Sequence, residues 1–459
     1  MNMLRLSIAA IVTALSLVFV QVQIHMNSLA STNSVEQDEI QSTIEAYFEN
    51  RYRGMSILQL EGFENLTEQL SDGDTFLSAE LDKLEIEIQH AKYNRLRYSQ
   101  YEFFLNFKSL SINTLTQVAT VSVVEGHDVV FEISEVISPV DPIISSMRNL
   151  EHTIVLHKVQ GEWKIVSDYY EDYLWRLIRA TGLSADELLQ SMIESQNQPL
   201  SENGIQIVTS CSLPADESTH PYNRSGAVVY AHRWATAAPP YNHPPYDDFT
   251  NLGGDCTNFV SQAIHEGGNA PMVYYSDCGE NCVGTLGWFY VDVNHRANAW
   301  NNVTALHDFI NQYLVWPRPG IDDPDGPGGP EGCDVSKDSA HHGDIIQYEW
   351  EGGAVWDHSV IIVDSLDMGN GDMYHLVAGH TPDVDNYPFN LFNYGDASKI
   401  YRFIRIERID GYVLVYLPLD IKNSGGTAMS QPQPVYQNPY PAPMENIQEP
   451  VQMSPYPAP

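Results

Sequence analysis

Gly253-Gly254-Asp255-Cys256-Thr257-Asn258-Phe259-Val260-Ser261-Gln262 is the stretch around which the rest of the chain is ordered. Its two glycines make a turn, and Asp255 is of a type that caps helices by accepting from first-turn N–H groups. Cys256 then stands at the first helical position. Phe259, Val260, Ala263 and Ile264 follow at helical spacing, and Gly267-Gly268 ends the run. The free N–H groups and positive dipole end at such a position stabilise a thiolate, which makes a cysteine nucleophilic near neutral pH. The competing reading is a buried cysteine packed as a small hydrophobe.

A nucleophile needs a base, and the base needs an orienting group. His358 follows Asp357 at the head of the apolar run Ser359 to Val363 and is the candidate base. His380, in Ala378-Gly379-His380-Thr381-Pro382-Asp383, lies one strand later, where antiparallel pairing brings it beside His358 as the acceptor for its N–H. Asp383 is the alternative orienter. His341 and His342 stand at a loop end and fit less well.

The 459 residues allow two or three domains of ~150 residues each. Sixty Asp and Glu against 23 Lys and Arg give a formal net charge of −37, which repels nucleic acid and other polyanions. At the N-terminus, Arg5 precedes an apolar run over Leu6 to Val22, with Ser28-Leu29-Ala30 offering small residues for cleavage. Residues 1–30 are therefore a signal peptide or a retained single-span anchor. Either way the bulk of the chain is expected outside the cytoplasm, with membrane attachment only through this segment. There the five cysteines, Cys211, Cys256, Cys278, Cys282 and Cys333, matter: an odd number leaves at least one free thiol. If Cys256 is free, the other four allow two disulfides in three connectivities. A zinc site from these cysteines with His341-His342 would lack a second CxxC-type pair.

Helical periodicity covers Val35 to Tyr52, through Ile40, Ile44, Tyr47, Phe48 and Arg51, and about Thr75 to Tyr98. Short alternating runs follow over Phe103 to Phe107, Leu110 to Val124, Val129 to Val136, Glu151 to Lys158 and Glu162 to Ser167, with Gly126 and Gly161 read as turns. This order makes an α+β unit over 35–173. It resembles the ketosteroid-isomerase-like cone fold, down to the closing strand Gly161-Glu162-Trp163-Lys164-Ile165-Val166-Ser167-Asp168. No convergent acid–base set is legible in it, so an accessory or docking role is expected. A helix and linker are read over 174–220. A second unit spans 221–410, with helices over Ala227 to Trp234, at Cys256 and over Trp300 to Val315. Its strands are read at Gly343 to Tyr348, Asp357 to Asp364, Met373 to Ala378 and Tyr401 to Ile409. Ile321 to Gly332 reads as an acidic Gly/Pro loop, whose prolines interrupt calcium-ligand spacing. Residues 411–459 hold a final strand and a proline-rich tail in which Pro-Tyr-Pro-Ala-Pro occurs twice.

Taken together, Tyr222-Asn223-Arg224, Gly254-Asp255-Cys256-Thr257-Asn258-Phe259-Val260-Ser261-Gln262, Gly267-Gly268, Gly343-Asp344-Ile345-Ile346, Asp357-His358-Ser359 and His380-Thr381 with Asp383 resemble the bacterial amidase domain of the papain-like superfamily, close to NlpC-like cell-wall cysteine peptidases. The resemblance implies a papain-like α+β domain with Cys256 as nucleophile, His358 as base and a polar third member, placed at His380. It implies acyl transfer through a thioester, with the Cys256 N–H and a side chain such as Asn258 or Tyr222, beside Asp255, at the oxyanion or substrate. The implied substrate is a peptide or peptidoglycan-type amide, and no metal or organic cofactor is required. Rival readings are an exported binding protein with a degenerate papain-like module, and an acyltransferase in which an amine replaces water.

Overall fold

The computed structural model describes residues 35–60, 76–93, 96–133 and 142–170, a few positions over 172–190 and, with short interruptions, 220–311, 329–349, 355–368, 373–389 and 401–410. The expected export segment, most of the expected helix and linker over 174–220, the acidic stretch Asp322 to Gly326, Cys211, Cys278, Cys282 and the proline-rich tail lie outside these residues. Among the described residues no helix is long and apolar enough to cross a membrane. No group of three or more His, Cys, Asp or Glu among them is arranged to hold a metal ion.

The first unit starts with helix α1 over 35–57 and helix α2 at Phe76–Tyr93. Ile40, Ile44, Tyr47 and Phe48 recur on one stripe of α1 and are fully buried, as their spacing requires. Four antiparallel strands follow: β1 Leu96–Asn113, β2 Val118–Ile133, β3 Ile143–Val159 and β4 Glu162–Tyr170. The alternation of β1 is interrupted by bulges between Tyr98 and Gln100 and between Phe107 and Ser109, so the strand reads as shorter runs. Gly126 is not a turn. It lies inside β2, where the register to β3 shifts between Glu125 and His127. Gly161 does turn the chain, in the left-handed region at φ 94°.

The absence of an acid–base set in this unit is corrected by the structure. His152 bridges two carboxylates, with Nδ1 2.9 Å from Asp168 and Nε2 2.9 Å from Glu125. Both partners only accept, so the ring carries both protons. Burial works against that charge, but Asp168 and Glu125 outweigh it and raise the pKa to about 9. Glu125 responds in kind: burial pushes it up, yet the His152 hydrogen bond and charge hold it down at about 2. These residues stand on β2, β3 and β4, and strand register alone makes them neighbours.

The second unit contributes β5 His220–Pro221, α3 Arg224–Trp234 and α4 Cys256–Gln262, which continues as a π-helical turn over Ala263–Gly267. A small sheet follows, of β6 Val283–Gly284, β7 Tyr290–Asp292 and β8 His295–Ala297. The helix expected over Trp300 to Val315 is two pieces, α5 Asn298–Asn301 and α6 Val303–Asn311. Then come β9 Gly329–Val335, β10 Ile345–Tyr348, β11 His358–Asp367, β12 Met373–Gly379, β13 Asp383–Pro388 and β14 Tyr401–Asp410. β9 corrects the loop reading at its C-terminal end: Gly329 to Gly332 pair with β14 despite their turn-like composition.

Mixed helix and sheet make the fold α+β, but one sheet runs through both units, in the order β1-β2-β3-β13-β12-β11-β10-β14-β5. The join is β3 with β13, where Arg148, Met147 and Ser146 pair with Asp383, Val384 and Asp385. β11 lies deep in this sheet, and His358 to Val363 are all buried. α3 and α4 cross close together because Gly226 and Gly267 lack side chains. A Cβ on Gly267 would stand 2.4 Å from the Gly226 carbonyl oxygen.

Candidate active site

Cys256 heads α4 and is 7% exposed. It is a free thiol, whereas Cys333 is disulfide-bonded. Its sulfur accepts from the Ser359 N–H, next to His358 in the chain. Thr257 Oγ1 donates to Ser359 Oγ at 3.1 Å, and Gln347 Nε2 donates to the same hydroxyl at 3.1 Å. Gln347 Oε1 accepts from Arg402 Nε and Nη2 at 2.8 and 2.6 Å. The Arg402 guanidinium lies 4.1 Å from the Trp356 ring centroid. A buried polar chain thus pins the head of α4 to the head of β11, which brings Cys256 and His358 into one neighbourhood. The sequence held a signal for part of it: Gln347 interrupts the buried run Ile345-Ile346-Gln347-Tyr348, and a buried amide must find partners.

Burial pushes the Cys256 thiol up, and the Asp255 charge adds to this. The Ser359 N–H and Thr257 oppose the shift without reversing it. The standing thiolate expected from the helix end is therefore corrected: at rest the sulfur is protonated near neutral pH. The helix end is one weak stabiliser, and desolvation is the larger effect.

Asp255 does not cap the helix with its side chain. Its carboxylate is fully buried and gathers four donors: Asn258 Nδ2 at 2.7 Å, Phe249 N at 2.9 Å, Asn242 Nδ2 at 2.8 Å and His380 Nδ1 at 2.7 Å. His380 Nε2 donates in turn to the Trp234 carbonyl at 3.0 Å, at the C-terminal end of α3. Both ring nitrogens face acceptors, so His380 is an imidazolium. Burial alone would lower its pKa, but Asp383, Asp255 and the carbonyl outweigh that and raise it to about 9. The expected role of His380, accepting from the His358 ring, is not the one its nitrogens take. It neutralises Asp255 beneath the nucleophile and stacks on Phe259, ring centroids 4.2 Å apart. Asp383 is half-buried and accepts from Asn149 Nδ2 on β3 at 2.7 Å.

The other expected contacts are scaffold. Asn258 gives Nδ2 to Asp255 and to the Asp247 carbonyl, and its Oδ1 accepts from Trp300 Nε1 at 2.7 Å, so no donor is left for an oxyanion. Tyr222 Oη donates to the Gly343 carbonyl at 2.9 Å. Asn223 caps α3, accepting from Gly226 N at 3.1 Å. Arg224 pairs with the buried Asp344 carboxylate, which also accepts from Ile406 N at 3.0 Å and His341 N at 2.8 Å. The Gly343-Asp344 motif thus ties α3 to β10 and β14. The aromatic residues near the site wall α4: Trp288 Nε1 donates to Ser261 Oγ at 3.1 Å, and Tyr230 Oη to Gln262 Oε1 at 2.8 Å.

Residues 221–403 match the family described as "Putative amidase domain". This supports an amidase-like domain and hydrolase activity toward an amide. An uncharacterized protein of Bacillus subtilis (strain 168), YhbB, is 29% identical to the chain over 151 residues. The match covers 32% of this chain and 39% of that relative, so the chain spans well under half of the relative's length. A crystal structure of the intermembrane space region of the chloroplast protein ARC6 aligns with 28% of this chain and 92% of that one. Its identity is 9% and its TM-score 0.21, too low to carry an argument.

The shifted histidines predict a stability optimum. His152 and His380, raised to about 9, stabilise the fold fully below the unfolded histidine value of ~6.5, and this is lost as pH rises through 9. His90, His127 and His375 are held neutral by burial, at about 4, so stability also falls as pH drops from ~6.5 toward 4. Denaturant unfolding across pH 4–10 is expected to show a maximum near pH 6–7, with about 1–3 kcal/mol per group lost on either side. A flat profile contradicts the assigned protonation states.

Proposed function

We propose that this chain is an exported cysteine amidase or peptidase that hydrolyses an amide through a thioester, acting on cell-wall peptides. The observation that carries the reading is a free Cys256 at the head of α4, its sulfur on the Ser359 N–H beside His358, within the region matched to the amidase family. On substrate binding, His358 takes the thiol proton as the sulfur attacks the amide carbonyl. The Cys256 N–H, among the first helix N–H groups that have no intrahelical acceptor, faces the developing oxyanion. His358 then protonates the leaving amine, and water cleaves the thioester. His380 acts as a positioning residue, holding Asp255 and with it the turn into α4. The test is digestion of purified peptidoglycan and of a peptide library, with mass analysis of released fragments, before and after alkylation with iodoacetamide. Release that alkylation abolishes supports the reading. Binding without release favours the non-catalytic module, and transfer to an added amine favours the acyltransferase.

A further inference from the structure

A cavity of about 110 Å³ lies away from Cys256, at the junction of the two units. Arg51, Met55, Leu84, Tyr98, His127 and Met147 of the first unit line it, and Tyr387 reaches it from β13. One wall has a defined hydrogen-bond polarity. Tyr52 Oη gives its only proton to the Glu125 carboxylate. The same oxygen stands 2.7 Å from His127 Nδ1, so Nδ1 must be the donor. Burial keeps His127 neutral, with its pKa lowered to about 4. The ring's other nitrogen, Nε2, is then a bare acceptor. It is buried in a residue 5% exposed and has no protein partner, which is destabilising unless something supplies a donor.

We infer that this cavity is a binding site for a small neutral molecule carrying one N–H or O–H donor on an apolar body. The donor meets His127 Nε2, and the apolar part lies against Met55, Leu84 and Met147. Anions are disfavoured because Glu125, Glu87 and Asp172 are close by. Cations are disfavoured because Arg51 and Lys83 already pair with these and neighbouring carboxylates, Lys83 with Glu87 and Asp172, and Arg51 at 3.8 Å from Glu80 and Asp168. The site is independent of the amidase reading.

Pyrrole and furan make the test: five-membered rings of one shape, of which only pyrrole donates. The full chain, labelled at its methionine methyl groups, is titrated with each and the Met55 and Met147 signals are followed. Saturable shifts with pyrrole, at about tenfold higher affinity than furan, are expected. His127→Leu should erase that preference. Equal affinities, no shift at either methionine with either ring, or a preference surviving in His127→Leu would each overturn the inference and leave Nε2 to solvent. The comparison in the unmodified protein decides the matter even if the variant does not fold.

Discussion

Cys256→Ala is expected to lower amide hydrolysis by at least about 10³-fold, as loss of a covalent nucleophile does. The cost in folding stability should be small, about 1 kcal/mol, because a small buried side chain is replaced by one slightly smaller. His358→Ala should lose a comparable factor. The reason is specific to this site. Burial keeps the thiol protonated at rest, so no thiolate pool is available to react once the base is gone. Residual activity of His358→Ala should therefore climb with pH as hydroxide takes over deprotonation. Iodoacetamide should alkylate resting Cys256 more slowly than an ordinary exposed thiol at pH 7. Full activity in Cys256→Ala sinks the mechanism. Rapid alkylation at pH 7 would instead restore the standing thiolate that the buried environment argues against.

Asp255→Asn is expected to be the most destabilising conservative change in the molecule, by about 3–5 kcal/mol. The four donors now met by the carboxylate would face an amide, one end of which is itself a donor. The His380 imidazolium would lose its nearest counter-charge while remaining buried. The loss should depend on pH. Below pH ~6.5 the wild type has the full benefit of the Asp255–His380 pair, which fades as pH rises through about 9. The gap between the two proteins in denaturant unfolding should therefore narrow from pH 6.5 to pH 10. A gap under about 1 kcal/mol, or one that does not change with pH, means that the carboxylate is not the anchor described here.

Within the sequence, the helix that begins at Cys256 was legible from a Gly-Gly turn, a capping-type residue and apolar spacing. So were β10, β11 and β12, whose apolar runs are buried over most of their length, and β14, which buries Phe403, Ile404, Ile406 and Ile409. β13 was not, because Asp383-Val384-Asp385-Asn386-Tyr387-Pro388 has too few apolar residues to announce a strand. It forms because β12 and β3 supply backbone partners on either side. The same holds for the polar groups. Local spacing singled out Cys256, His358, His380 and Asp255 as candidates. Only the folded chain decided that His380 answers to Asp255 and Trp234, that Ser359 and Gln347 fasten α4 to β11, and that Glu125, His152 and Asp168 meet at all. Periodicity is written in neighbouring residues and survives without tertiary structure. Which buried donor finds which acceptor depends on strand register and element packing, and those are settled by contacts remote in sequence, from 16 positions between His152 and Asp168 to 125 between Asp255 and His380.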